Sequence, residues 1–291
     1  MQTGIIWQTK QPPALAGSCL MIKISAHKTL NINMTFAQQG FAIIDDLLAA
    51  TELVLARELV AGLIARYRSG DQAVIAESIS LASITDRHPQ RNPGIISEQV
   101  AQEPYIIGNL ISLDSRFARI FAAESLWYWA SRLLSCSQEA VVFHFSNITR
   151  KPSLTGPAIG RHRDRDNTYF ASSDYRMLRF LLPMQPMSQI NGGTEIIAGS
   201  HLSDITWTDV EKSEICYLTV NPGSCLVLHA GVLHGGSPNR STAERDVIVL
   251  QFGVATSALR YQADETLSLS GRKTFIHFSN GGNQTSFLRP T

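Results

Sequence analysis

The sequence predicts an α+β fold in which helices pack on a β core, either a barrel or a two-sheet sandwich. Three observations carry this. The first half of the chain has helical periodicity. From about residue 140 it changes to short runs, β-branched or aromatic, separated by Gly, Pro, Asn and Ser. No internal repeat, low-complexity tract or strong linker divides the 291 residues, so a single domain is the simplest arrangement.

Residues 14–22 come nearest to the apolar core of a secretory signal. The stretch is short, follows Pro12-Pro13 and lacks a small-residue cleavage site. Residues 1–33 therefore read as an irregular N-terminal extension, and residues 34–291 as one domain opening on MTFAQQGFAII. Residues 40–48 suit a strand followed by a turn. Over residues 51–68, Leu53, Leu55, Leu59, Val60, Leu63 and Ile64 recur at helical spacing, and Gly70 stands where a helix C′ residue belongs. Residues 84–99, with Pro89 and Pro93, read as a loop that could cover a site. A second helix is expected over 114–134, and strands over 140–148, 177–182, 194–197, 223–228 and 247–254.

With 44% hydrophobic residues the chain can bury a substantial core, and its formal charge of +1 gives no overall attraction to nucleic acid or an anionic membrane. No apolar run approaches the roughly 18–20 residues that span a bilayer. The four cysteines, Cys19, Cys136, Cys216 and Cys225, form no CxxC pair. They do not read as a disulfide framework or a zinc knuckle. Cys216 and Cys225 are expected as small buried apolar residues, and a cytoplasmic location follows from the same reading. A small molecule is the expected partner; a homo-oligomer is left open.

The chemistry concentrates in two segments. In GRHRDRDNTYF (160–170), His162 and Asp164 are two apart, which on an extended strand puts both side chains on one face, about 6–7 Å apart along the chain. A neutral imidazole and a carboxylate suit a divalent metal, although an HxD tripeptide arises easily by chance and equally suits a surface turn. The second segment, HAGVLHGGSPNRSTAER (229–245), carries His234 before Gly235-Gly236, with Arg245 eleven residues on. If residues 235–244 are a connecting turn, Arg245 lies on a strand adjacent to that of His234, where its guanidinium could grip a carboxylate in bidentate fashion. Two histidines and one carboxylate leave one face of an octahedral ion open. That is the facial-triad pattern of non-haem Fe(II) oxygenases.

The order of HxD, GGTEIIAGSH (192–201), PGSCLVLHAGVLHGGSPNRS and Arg245 resembles the phytanoyl-CoA dioxygenase family over roughly residues 36–255. The resemblance implies a double-stranded β-helix (jelly roll, cupin-like) core with helices packed on one side. It also implies Fe(II) on His162, Asp164 and His234, with 2-oxoglutarate and O2 as co-substrates and Arg245 holding the far carboxylate of 2-oxoglutarate. Many members carry Ser or Thr two residues after the distal histidine; here that position is Gly236. Ser237 follows as the candidate second contact, with Thr149 or Asn147 as replacements. Retention of Asp164 implies hydroxylation or another oxygenation rather than halogenation.

His229 is the rival for the distal ligand, but on one continuous strand it would face away from His234. His201 suits a turn, and His144 the core. The string HRDRDN imitates a kinase catalytic loop, yet Asn167 comes too early and no glycine-rich loop or DFG accompanies it. Arg161, Arg163, Arg165, Arg176 and Arg179 form a positive cluster that could be a solvated rim balanced by Asp166 and Asp174. Alternatively, Arg163 and Arg179 bind an anionic substrate; a charge in the apolar run MLRFLL needs a carboxylate partner. The expected activity is hydroxylation of an unactivated C–H bond in a small carboxylate-bearing molecule, such as an amino acid or acylated amino acid. A jelly-roll metal-dependent hydrolase or isomerase and a non-catalytic binding barrel are the alternatives.

Overall fold

The computed structural model describes residues 23–25, 32–167, 171–203, 207–257 and 269–279. The apolar stretch at 14–22 and most of the extension lie outside the described residues. Part of the extension nevertheless joins the fold: β1 (Lys23–Ser25) pairs in parallel with β2 (Phe41–Asp45), and α1 (Ile32–Gln39) begins ahead of Met34.

The remaining strands are β3 (Ser78–Ser80), β4 (Pro104–Gly108), β5 (Val141–Lys151), β6 (Ile159–His162), β7 (Met177–Pro183), β8 (Thr194–Ile197), β9 (Cys216–Tyr217), β10 (Cys225–His229), β11 (Leu233–Gly236), β12 (Arg245–Val254) and β13 (Leu269–Ser270). Among the described residues they form two sheets. The larger runs β1-β2-β10-β7-β12-β5-β4-β3, with β13 beside β5, and the smaller runs β6-β11-β8-β9. From β5 to β12 the chain passes from one sheet to the other at every step except β8 to β9, as in a double-stranded β-helix.

The helices are α2 (Ala50–Arg68), α3 (Gln72–Ala76), α4 (Leu81–Arg87), α5 (Leu110–Leu113), α6 (Phe117–Phe121), α7 (Glu124–Leu134), α8 (Trp207–Lys212) and α9 (Arg272–Ser279). In α2, Ala56, Leu59, Val60, Leu63 and Ile64 are buried, and Gly70 adopts φ +85° just beyond the cap residue Ser69. The predicted stripe and stop are thus where the periodicity puts them. The helix expected over 114–134 is instead broken, because Ala123 turns extended (φ −53°, ψ 130°) and α7 restarts with Glu124 in its first turn. The loop expected over 84–99 is partly helical. The Ser80 hydroxyl accepts from the Ser83 amide at 3.1 Å to start α4, and 3-10 turns follow at Pro89–Arg91 and Ser97–Val100. Leu81, Ile84, Val100 and Tyr105 form a small core there, so the segment is packed down rather than free.

Alternation along the large sheet separates two environments. On β7, Leu178, Phe180 and Leu182 face the helices, as do Ile248, Leu250 and Phe252 on β12. The intervening Arg179, Leu181, Arg245, Val247 and Val249 face the space between the sheets. Cys225 is buried and free, whereas Cys216, also buried, is disulfide-bonded and so is not the simple apolar filler expected of it. No described helix is long and apolar enough to cross a membrane.

Candidate active site

A cavity of about 170 Å³ lies between the sheets, with His162, Asp164 and His234 in its wall. His162 closes β6, and Arg163 remains extended (φ −111°, ψ 136°). Asp164 then opens a 3-10 turn, Asp164–Asp166. One extended residue is enough to bring the side chains on either side of it to one face. His162 and His234 are direct Cα partners between β6 and β11.

The three candidate ligand atoms lie within 4.8 Å of one another. Asp164 Oδ1 is 3.7 Å from His162 Nε2, and Oδ2 is 3.8 Å from His234 Nε2. Both gaps are shorter than twice the ~2.1 Å bond of such ligands to a first-row divalent ion. Each imidazole is oriented from behind: His162 Nδ1 donates to the Gly160 carbonyl (2.9 Å) and His234 Nδ1 to the Val232 carbonyl (3.1 Å). A carbonyl only accepts, so the proton sits on Nδ1 and both Nε2 lone pairs are left toward Asp164. Burial, offset in part by Asp164, lowers the His234 pKa to about 4 and keeps the ring neutral at pH 7. Burial pushes the Asp164 carboxyl upward, but Arg179, His234, His162 and Asn167 together hold it below its ordinary value. The donor set fits a divalent iron.

Arg245 reaches the same cavity from the opposite sheet. β12 pairs with β5 and β7, and β11 with β6 and β8. The expected adjacency of the Arg245 and His234 strands is therefore wrong: the chain changes sheets between them. The Arg245 side chain is 3% exposed, and its Nη1 meets Met187 Sδ at 3.6 Å. Among the described residues its Nε and Nη2 are buried without a hydrogen-bond partner. Burial lowers its pKa to about 10, which leaves it charged at pH 7. A buried guanidinium with two unpaired nitrogens fits the carboxylate of a 2-oxo acid.

Of the other predicted residues, Arg179 lines the cavity, with Nε 3.5 Å from Asp164 Oδ2 and its guanidinium 4.4 Å from the Phe145 ring centroid. Arg163 does not line it. Alternation turns that side chain away, and Nε donates to the Gly231 carbonyl at 3.2 Å. Ser237 is also outside the wall, its hydroxyl donating to Glu195 Oε2 at 3.3 Å. Asn147 and Thr149, the suggested replacements, both line the cavity. His229 ends β10 in the large sheet, where it accepts from the Gly231 amide and lies 4.8 Å from the His201 ring, apart from the triad. His144 is in the core beside Gln251 at 2.8 Å. Sequence reasoning missed Tyr105, a cavity residue that favours the charged form of Arg245. Its neighbours in sequence are apolar, and nothing local marks it.

The sequence pattern of the family described as phytanoyl-CoA dioxygenase (PhyH) matches residues 36–247. Dioxygenase swnH1 of Metarhizium robertsii is 25% identical over 284 residues, covering 89% of each chain. Among solved structures, AviO1 from Streptomyces viridochromogenes Tue57 superposes with a TM-score of 0.63 at 19% identity, covering 78% of this chain and 95% of its own. EctD from S. alaskensis, solved with 2-oxoglutarate and 5-hydroxyectoine, gives a TM-score of 0.66 at 18% identity, covering 82% and 81%.

Proposed function

From the premise that the chain belongs to the phytanoyl-CoA dioxygenase family and is an Fe(II)- and 2-oxoglutarate-dependent dioxygenase, we propose that it hydroxylates an unactivated C–H bond of a small anionic substrate, with His162, Asp164 and His234 holding the iron and Arg245 the co-substrate. Bound iron supplies the activation of O2, coupled to conversion of 2-oxoglutarate to succinate and carbon dioxide. The protein supplies placement. Carbonyl hydrogen bonds fix the two imidazoles with Nε2 available, and Arg179 steadies the Asp164 carboxylate. Leu181, Val247 and Val249 give the cavity an apolar wall that keeps water from the reacting atoms.

The observation that carries this reading is Arg245: a buried cation with two unpaired nitrogens in the same cavity as the triad. A metal-dependent hydrolase would give that residue no task. Arg179 supports an anionic substrate, since it brings a second positive charge to the cavity on the Asp164 side. An amino acid or acylated amino acid is the substrate class we favour. The direct test is anaerobic addition of Fe(II) and 2-oxoglutarate to metal-free protein. A weak visible charge-transfer band is expected, and its absence at saturating ligand would overturn the reading. Succinate release across a panel of amino-acid-like acids then addresses the substrate.

A further inference from the structure

Residues 81–106 form the side of the cavity next to β6. The small core of Leu81, Ile84, Val100 and Tyr105 packs against Ile106 and Ile159, and both isoleucines line the cavity. The segment is also pinned to the chain that leads into β6. The Ala158 amide donates to the Arg91 carbonyl at 2.7 Å. Asn92, 1% exposed, donates to the Thr155 carbonyl at 2.9 Å and accepts from Arg240 at 3.2 Å. The backbone at Arg91 is thus held in place, and its guanidinium reaches Gly160. A Cβ added at Gly160 would stand 3.6 Å from Arg91 Nη2 and 3.9 Å from Nε.

Gly160 stands two residues before His162, about 7 Å along an extended strand, and its carbonyl orients the His162 ring. The side chain of His162 is 37% exposed, against 10% for His234 and 6% for Asp164. The cavity therefore opens on the His162 side, with Arg245 at its depth, and Arg91 stands beside the opening. Arg91 is half-buried, and among the described residues its side chain has no ion pair or hydrogen bond. Arg119 and Arg132 also lack such partners, but they are exposed on α6 and α7, where water solvates them. A half-buried cation with a fixed backbone and a free head is placed for a ligand rather than for the fold.

We propose that Arg91 determines substrate specificity: it takes the carboxylate of the substrate at the cavity mouth, while Ile106 and Ile159 hold the apolar part on the way to the metal site. A guanidinium matches a carboxylate in charge and in the spacing of its donors. Arg179 is less available, because Asp164 Oδ2 lies 3.5 Å from its Nε and the Phe145 ring lies against its guanidinium. The distance from Gly160 to His162 puts several bonds between that carboxylate and the carbon oxidised. An acylated amino acid oxidised on its acyl chain fits this spacing better than a free amino acid. The proposal rests on the reading of the site as an oxygenase of an anionic substrate.

The test measures succinate release by Fe(II)-loaded protein at saturating 2-oxoglutarate. The probes are the N-hexanoyl derivatives of glycine, alanine and leucine and the matching neutral N-hexanoyl amino amides. Wild type is expected to respond to the acids at lower concentration than to the amides. Arg91→Gln should raise the KM for the acids about tenfold, the order expected for one charge-assisted hydrogen-bonded pair. Its KM for the amides and its affinities for Fe(II) and 2-oxoglutarate should match wild type. Arg91→Lys keeps the charge and should retain part of the preference for acids. An undiminished preference in Arg91→Gln would overturn the proposal, as would an equal loss for acids and amides. Wild type that responds to neither set, or to both alike, overturns it too. Failure of the oxygenase reading is a different result, since wild type then gives no visible band with Fe(II) and 2-oxoglutarate.

Discussion

His162 and His234 face each other as Cα partners across β6 and β11, with ring centroids 4.4 Å apart. The two Nε2 atoms flank Asp164, one per carboxylate oxygen. The site is thus built on backbone pairing as well as on the side chains. Two strands in the small sheet must be in register before the three ligands can meet, and the Gly160 and Val232 carbonyls then set the ring orientation.

The first prediction follows from that geometry. His234→Ala should abolish Fe(II)-dependent succinate release while leaving the fold intact, because only one buried ring is lost from the edge of a cavity. Thermal unfolding provides the check. Iron at a hundredfold excess over Kd should stabilise the wild type by about 2.7 kcal/mol and the variant by close to nothing. A variant still stabilised by iron would place the metal elsewhere.

Arg245 is expected to separate stability from function. It is a buried cation with no carboxylate in hydrogen-bonding range among the described residues, so Arg245→Met should stabilise the ligand-free protein, by about 1–4 kcal/mol on the scale seen when buried charges are replaced by apolar groups. The same change removes the partner of an incoming carboxylate, a loss of about 2–5 kcal/mol, or roughly thirtyfold and more in 2-oxoglutarate affinity. Iron affinity should be unchanged. Chemical denaturation and anaerobic titration measure the two effects independently.

What was legible in the sequence was mostly local. His162-x-Asp164 could be read because alternation is a local rule, and it survives even though β6 ends at His162. His234 could be read from the glycines that follow it. Arg245 lines the cavity but with a different neighbour from the one expected: spacing put it next to the His234 strand, whereas the chain crosses to the other sheet in between. Sequence distance does not record which sheet a strand joins. Arg163 and Ser237 failed for a related reason, since each lies beside a cavity residue in sequence but turns to a different partner in space.

A third prediction concerns Arg150, the residue before Lys151. It is 2% exposed and binds Asp246 through Nη1 at 2.7 and 2.9 Å, Glu103 at 2.9 Å and Glu244 at 2.6 Å. The network ties β5 to β12 at the end that carries Arg245. Arg150→Met leaves three carboxylates without their shared cation, and the loss should be about 3–5 kcal/mol by urea denaturation. Glu244 is half exposed, so Glu244→Gln should cost no more than about 1 kcal/mol. If the two variants were equally stable, Arg150 would not be the hub of the network.

The last prediction is a pH dependence of stability to which two buried histidines outside the proposed metal site contribute. Burial first, then Arg179, lowers the His144 pKa to about 3, and burial, His201 and Arg165 bring His229 to about 3. In the unfolded chain both should titrate near the ordinary value of about 6.5. Between these limits the unfolded state binds more protons than the folded one, so stability rises with pH through that window. The contribution is fully present above about pH 6.5 and is lost progressively as pH falls toward 3. At pH 5 the loss should be of the order of 2 kcal/mol for each histidine. Urea denaturation of metal-free protein between pH 7 and 5 should therefore show a clear decline. His144→Gln keeps a polar group beside Gln251 while removing the titration, and should make the decline visibly shallower. An unchanged slope in that variant would mean that His144 is protonated in the folded state as readily as in the unfolded chain, contrary to its burial beside Arg179.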